Sequence, residues 1–182
     1  MNAKENSAGK NTAMLKNAAI GIGAIAIFIM LSSLLEAGPV KNGTPAPVFK
    51  IPVVNSRDNA DIFNLKDQKG KVVILDFWST TCPPCLAQIG VLKKLKQDYA
   101  NKDLEIVGLA VGGESLLRVK QFAAQRQINY PVGPDSRGVA ATAYKVSSLP
   151  TLFIVDKTGK IVDSHVGYQT EASLVSVLKK IL

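Results

Sequence analysis

Hydrophobic and polar positions divide this chain into segments with different periods. Residues 17–35 carry no charge and are mostly Ala, Ile, Leu, Gly, Phe and Met. As a helix they would span about 28 Å, close to the hydrocarbon thickness of a bilayer. The pattern predicts a tail over 1–16, a transmembrane anchor over 17–35, a linker over 36–46 and one domain over 47–182. Lys4, Lys10 and Lys16 precede the apolar run, which keeps the tail in the cytoplasm and sends the domain outward. A cleaved signal peptide would have a shorter apolar region. Ala37 could stand at −1 of a cleavage site, but Leu35 is bulky for −3.

Beyond the linker the periods alternate between strand and helix. Residues 48–54 and 62–65 read as strands joined by a polar turn at 55–59. Residues 71–78 form an almost unbroken apolar run, the signature of a central strand covered on both faces. Leu86, Ile89, Leu92, Leu95 and Tyr99 then recur at helical spacing over 83–100. A strand follows at 104–111, a helix at 114–126, a short strand at 130–132 and a short helix at 138–144. Strands at 151–155 and 161–166 flank a turn at 156–159 with hairpin character. An amphipathic helix closes the chain over 170–182. Strands alternating with helices, and a final hairpin, predict an α/β fold with a mixed central sheet flanked by helices.

Composition narrows the chemistry. The 182 residues are 47% hydrophobic and 20% charged, as in a folded domain rather than a disordered chain. The net charge of +8 is spread along the chain without interleaved aromatics, so solubility explains it better than nucleic-acid binding. Two cysteines, Cys82 and Cys85, are separated by two residues. They are too few for a disulfide framework, and with His165 as the one histidine they leave a zinc site short of ligands. A redox pair remains, with no cofactor or metal required.

That pair lies in Asp76-Phe-Trp-Ser-Thr-Thr-Cys82-Pro-Pro-Cys85. A helix start carries unpaired N–H groups and a partial positive charge, which stabilise a thiolate. The thiolate is the reactive form, so Cys82 would be activated there. Pro83 and Pro84 suit a first helical turn, and Cys85, one turn in, would be more buried. Asp76 in an apolar strand is costly unless paired or protonated. Read functionally, it has a raised pKa and accepts the Cys85 proton; read structurally, it bonds backbone at a strand end.

Over residues 43–182 the chain resembles the ResA/TlpA-type thiol–disulfide oxidoreductases, a membrane-anchored, thioredoxin-like family. The resemblance rests on Gly43 to Phe49, Gly70 to Trp78, the Cys82–Cys85 motif, Val111 to Ser115, and Leu149-Pro150-Thr151. It implies a thioredoxin-like fold with an N-terminal β-hairpin and a central βα insertion. It implies that Cys82 attacks a partner disulfide, that Cys85 resolves the mixed disulfide, and that Pro150 is cis beside the sulfurs. Trp78, Thr81, Pro83, Pro84, Leu149 and Pro150 would form the substrate surface. Three positions depart from the pattern. Thr81 replaces a tryptophan, Gln88 stands where a glutamate is frequent, and Gly108 stands where thioredoxin has a lysine. His165 is expected to be structural, and Glu114 is given no catalytic role.

The expected function is reduction of disulfides in exported proteins such as apocytochrome c, with a membrane thiol conductor as electron donor. A disulfide-forming oxidase is the nearest alternative, because direction depends on reduction potential, in which about 30 mV corresponds to 1.4 kcal/mol. A thiol peroxidase is the alternative of another class, and a copper-carrying module comes last.

Overall fold

The computed structural model describes residues 40–55 and 60–182; the expected tail, the anchor over 17–35 and the start of the linker lie outside the described residues. Among those described, no helix is long and apolar enough to cross a membrane. The strands are β1 Lys50–Val54, β2 Ala60–Asn64, β3 Val72–Trp78, β4 Leu104–Ala110, β5 Val132–Pro134, β6 Thr151–Val155 and β7 Ile161–Val166. The helices are α1 Pro83–Asp98, α2 Leu116–Arg126, α3 Val139–Ala143 and α4 Glu171–Ile181, with one 3₁₀ turn at Leu65–Gln68.

The seven strands form one sheet in the order β2-β1-β5-β4-β3-β6-β7. β3, β4 and β5 run parallel, while β1, β2, β6 and β7 join by antiparallel pairs. This is the mixed sheet of a thioredoxin-like fold, with the N-terminal hairpin added at one edge.

β3 lies between β4 and β6, and every one of its residues is buried. That is why its apolar run shows no period of two. The pleat still sorts its side chains. Val72, Ile74 and Trp78 join the core beneath α1, α2 and α4, and Asp76 shares their parity. Val73, Leu75 and Phe77 join the opposite core with Phe153 and Tyr144. There the Tyr144 ring lies 4.8 Å from Phe153 and 5.5 Å from Phe77 between centroids, and its hydroxyl donates to the Pro47 carbonyl at 3.0 Å.

Several boundaries differ from the sequence pattern. Ser115 and Thr170 stay outside their helices as N-caps, accepting the amides of Arg118 and Ser173, because a hydroxyl satisfies a free N–H of the first turn. β5 runs over Val132–Pro134 rather than 130–132. Tyr130 is drawn into the core beneath the helices instead. Gly133 lets β1 come close to β5, since a Cβ there would stand 1.9 Å from the Pro52 carbonyl oxygen. A Gly133→Ala substitution is therefore expected to push β1 away from β5 and destabilise the domain by about 2–4 kcal/mol. The check is a lower urea midpoint at an unchanged slope.

Candidate active site

The site grows out of the C-terminal end of β3. After Trp78 the chain turns through Ser79–Thr81, where the Cys82 amide donates to the Ser79 carbonyl at 3.2 Å. Cys82 is the N-cap of α1, in extended conformation, and Pro83 and Pro84 begin the helix. Prolines fit this turn because its N–H groups lack intrahelical partners. They also remove two donors, so a charge on the Cys82 sulfur would be held more by the helix dipole than by direct hydrogen bonds. The first amide of the helix, that of Cys85, bonds back to the Cys82 carbonyl at 3.1 Å.

A disulfide joins Cys82 to Cys85, with their Cα atoms 5.3 Å apart. Cys82 is half-buried and Cys85 fully buried. Thr81, Pro83 and Pro84 are exposed around the bridge, and the Thr81 hydroxyl lies 3.0 Å from that of Ser79. Leu149–Pro150 is a cis peptide. Thr151, next in chain, pairs with Phe77, so Pro150 stands at the end of the sheet from which the cysteine turn leaves. Leu149 and Cys82 pack against the same core.

Trp78 is not on this surface. It is fully buried, and its ring packs on Phe122 at 5.2 Å between centroids. Asp76 lies deeper in the same strand, fully buried. Neither of its carboxyl oxygens has a hydrogen-bond partner among the described residues. Burial pushes its carboxyl up from 3.8 to about 8, because a carboxylate loses its hydration there. Across the ladder Asp76 faces Gly108. A Cβ on Gly108 would meet Trp78 Nε1 and Val132 Cγ1, both at 2.8 Å, so no side chain could reach Asp76 from that position.

Gln88 is also buried, and its Oε1 accepts the Gln169 amide at 2.7 Å, tying α1 to the start of α4. His165 pairs with Asp163 at 2.9 Å on β7. Two neighbours of the site escape the hydrophobic pattern. Glu114 is nearly buried; it accepts the Thr80 amide at 2.7 Å and lies 3.4 Å from Arg118, whose Nε donates to Thr80 Oγ1 at 3.1 Å. This network ties the loop after β4 to the cysteine turn. An acid directly after Gly112-Gly113 at a strand end is the sequence signal that could have located it. Tyr130 is the other, and it is buried in the core beneath α1 and α2.

A thioredoxin-like sheet with a bridged cysteine pair at the head of the helix after its central strand defines a thiol–disulfide oxidoreductase. The AhpC/TSA family model matches residues 42–164. Thiol-disulfide oxidoreductase ResA of Bacillus anthracis is 35% identical over 159 residues, covering 87% of this chain and 89% of that protein. Thioredoxin-like protein YneN of Bacillus subtilis (strain 168) is 33% identical over 136 residues, 74% of this chain and 77% of that one. Among solved structures, a thiol:disulfide interchange protein of the thioredoxin family from Chlorobium tepidum TLS superposes with a TM-score of 0.65 at 27% identity, covering 79% of this chain and 99% of that chain. The chain belongs to the AhpC/TSA family and, within it, to the ResA-type thiol–disulfide oxidoreductases.

Proposed function

We propose that this oxidoreductase reduces disulfides of exported proteins, with Cys82 as the attacking thiolate and Cys85 as the resolving thiol. What carries the reading is the geometry of the two sulfurs: one half-buried at the positive end of α1, the other fully buried one turn in. In the reduced protein the Cys82 thiolate attacks one sulfur of a partner disulfide. The partner's second sulfur leaves as a thiolate and takes up a proton, and a mixed disulfide remains. Cys85 then gives its proton to the Asp76 carboxylate and attacks the Cys82 sulfur. The mixed bond breaks, the partner's first sulfur leaves as a thiolate that takes up a proton from solvent, and the partner departs with two thiols as the Cys82–Cys85 bridge reforms. Two electrons have passed, and a thiol donor must restore the pair.

Thr81, Pro83, Pro84, Leu149 and Pro150 form the surface on which the partner chain lies. Trp78 supports that surface from beneath. The apolar segment 17–35 anchors the domain, with the tail 1–16 cytoplasmic and 47–182 outside the cytoplasm. The resemblance to ResA/TlpA-type proteins supports an apocytochrome c cysteine pair as partner and a membrane thiol conductor as donor. The test is a Cys85→Ala chain expressed in cells. It is expected to accumulate a mixed disulfide between Cys82 and an exported protein, identified by mass spectrometry. Recovery of no disulfide-linked partner would overturn the reading.

A further inference from the structure

β5, β4, β3 and β6 set Val132, Gly108, Asp76 and Leu152 in one row across the sheet. Residues in such a row share a face. The space over Gly108 is taken by Trp78 Nε1 and Val132 Cγ1, so this is the face beneath α1 and α2. Tyr130 lies two residues before Val132 and belongs to the same core, 1% exposed. The Pro131 carbonyl between them accepts the Gly108 amide at 2.9 Å, which ties the Tyr130 backbone to the strand beside Asp76.

Four side chains around this layer carry buried polar atoms without a hydrogen-bond partner among the described residues: both Asp76 oxygens, Trp78 Nε1, Gln88 Nε2 and the Tyr130 hydroxyl. Buried polar groups as a rule have partners. These are complementary in kind, one acceptor and three donors, of which the Tyr130 hydroxyl is the one whose titration the Asp76 charge shifts. Asp76 and Tyr130 are also within electrical reach of each other. Burial first, and then the Asp76 charge, push the Tyr130 phenol well above its ordinary value. The phenol therefore keeps its proton, and remains a donor, wherever Asp76 titrates.

We propose that the Tyr130 hydroxyl is the polar partner of the Asp76 carboxyl, a positioning residue that favours the carboxylate and so sets the pH at which Asp76 can take the Cys85 proton. The two groups make no direct hydrogen bond, and an O–H directed at a carboxylate across one buried water stabilises the charged form. The other elements around Asp76 offer no competing charge. β4 presents Gly108, β6 presents Leu152, α1 presents the bridged Cys85 and the neutral Gln88, and α2 presents Val119 and Phe122. Tyr99, the remaining tyrosine packed against this core, is about four helical turns from Cys85. Among the described residues, burial is the cause that acts on Asp76, with no lysine or arginine contributing.

The inference rests on the reading of Asp76 as proton acceptor, and the test separates the two. The full chain in detergent, oxidised so that the cysteines do not titrate, is labelled at the aspartate carboxyl carbons and followed by NMR from pH 4 to 10. Tyr130→Phe is expected to raise the Asp76 midpoint by about one pH unit. 3-Fluorotyrosine at position 130, a stronger donor of nearly the same size, is expected to lower it; this second arm holds even if the phenylalanine variant folds poorly. In disulfide exchange, Tyr130→Phe should shift the pH profile in the wild-type background and leave it unchanged in an Asp76→Asn background. An Asp76 midpoint that does not move, or that moves the other way, overturns the role of Tyr130. An Asp76→Asn chain with the wild-type exchange profile sinks the Asp76 reading instead, and the pairing then stands or falls on the midpoint alone.

Discussion

A Cys82→Ala chain will reduce protein disulfides no faster than the uncatalysed background, whereas Cys85→Ala will react once and stop. The difference follows from burial. Cys82 is the sulfur a partner can reach, and Cys85 lies wholly inside. Without Cys82 no thiolate meets the substrate. Without Cys85 the first exchange still runs, but nothing displaces the partner, so one mixed disulfide per chain accumulates. Loss of folding does not account for either result. The bridge spans a sequence separation of 3, and a loop that short contributes at most about 2 kcal/mol. Insulin reduction and mass spectrometry of the intact chain read both outcomes. Turnover by Cys82→Ala, or stoichiometric trapping through Cys85 instead, would reverse the assignment.

The second large effect concerns Asp76. Its folded-state pKa of about 8 lies above the value of 3.8 that it has when exposed. The folded protein therefore holds a proton that the unfolded chain has released, so stability falls as pH rises between these values. It is fullest below about pH 4 and lowest above about pH 8. A difference of about four pH units corresponds to roughly 5 kcal/mol, an order of magnitude rather than a measured cost. Asp76→Asn carries no charge at any pH. It is expected to flatten the dependence between pH 4 and 8 and to stabilise the protein by roughly 2–4 kcal/mol near pH 8, less where the amide lacks partners. Urea unfolding across this range checks it. The same substitution removes the acceptor for the Cys85 proton, and release of the mixed disulfide at neutral pH should slow by roughly 100-fold. A variant that is stabilised yet releases its partner at the normal rate would make Asp76 a burdensome core residue and no more.

Gains in stability and losses in activity at one position mark a group kept for its chemistry. They also explain why Asp76 stands out in the bare sequence. A single acid in an unbroken apolar strand conflicts with everything around it, and that conflict is local. The same holds for the cysteine pair. Pro83 and Pro84 tolerate the start of a helix and little else, so α1 and the position of Cys82 at its head are legible from neighbouring residues alone. The core positions of β3 and α1 are legible for a similar reason, because a pleat or a helical turn imposes its period on residues close in the chain.

Other parts of the site have no local signature. Tyr130 reads as one more strand residue, yet it leaves β5 and enters the layer beneath Asp76. Trp78 reads as part of the substrate surface, yet Phe122 of α2, far along the chain, covers it. Glu114 becomes a brace of the cysteine turn only because the end of β4 lies beside the end of β3.

The chain's own pattern determined which segments are strands and helices, that two cysteines head a helix, and that one acid is buried among apolar residues. Strand order, the close approach of β1 to Gly133, and the covering of Trp78 by Phe122 were decided by the fold alone. Periodicity is a property of residues a few positions apart, while these contacts join residues tens of positions apart. What selects them is the joint burial of both faces of one sheet, a condition no single segment carries.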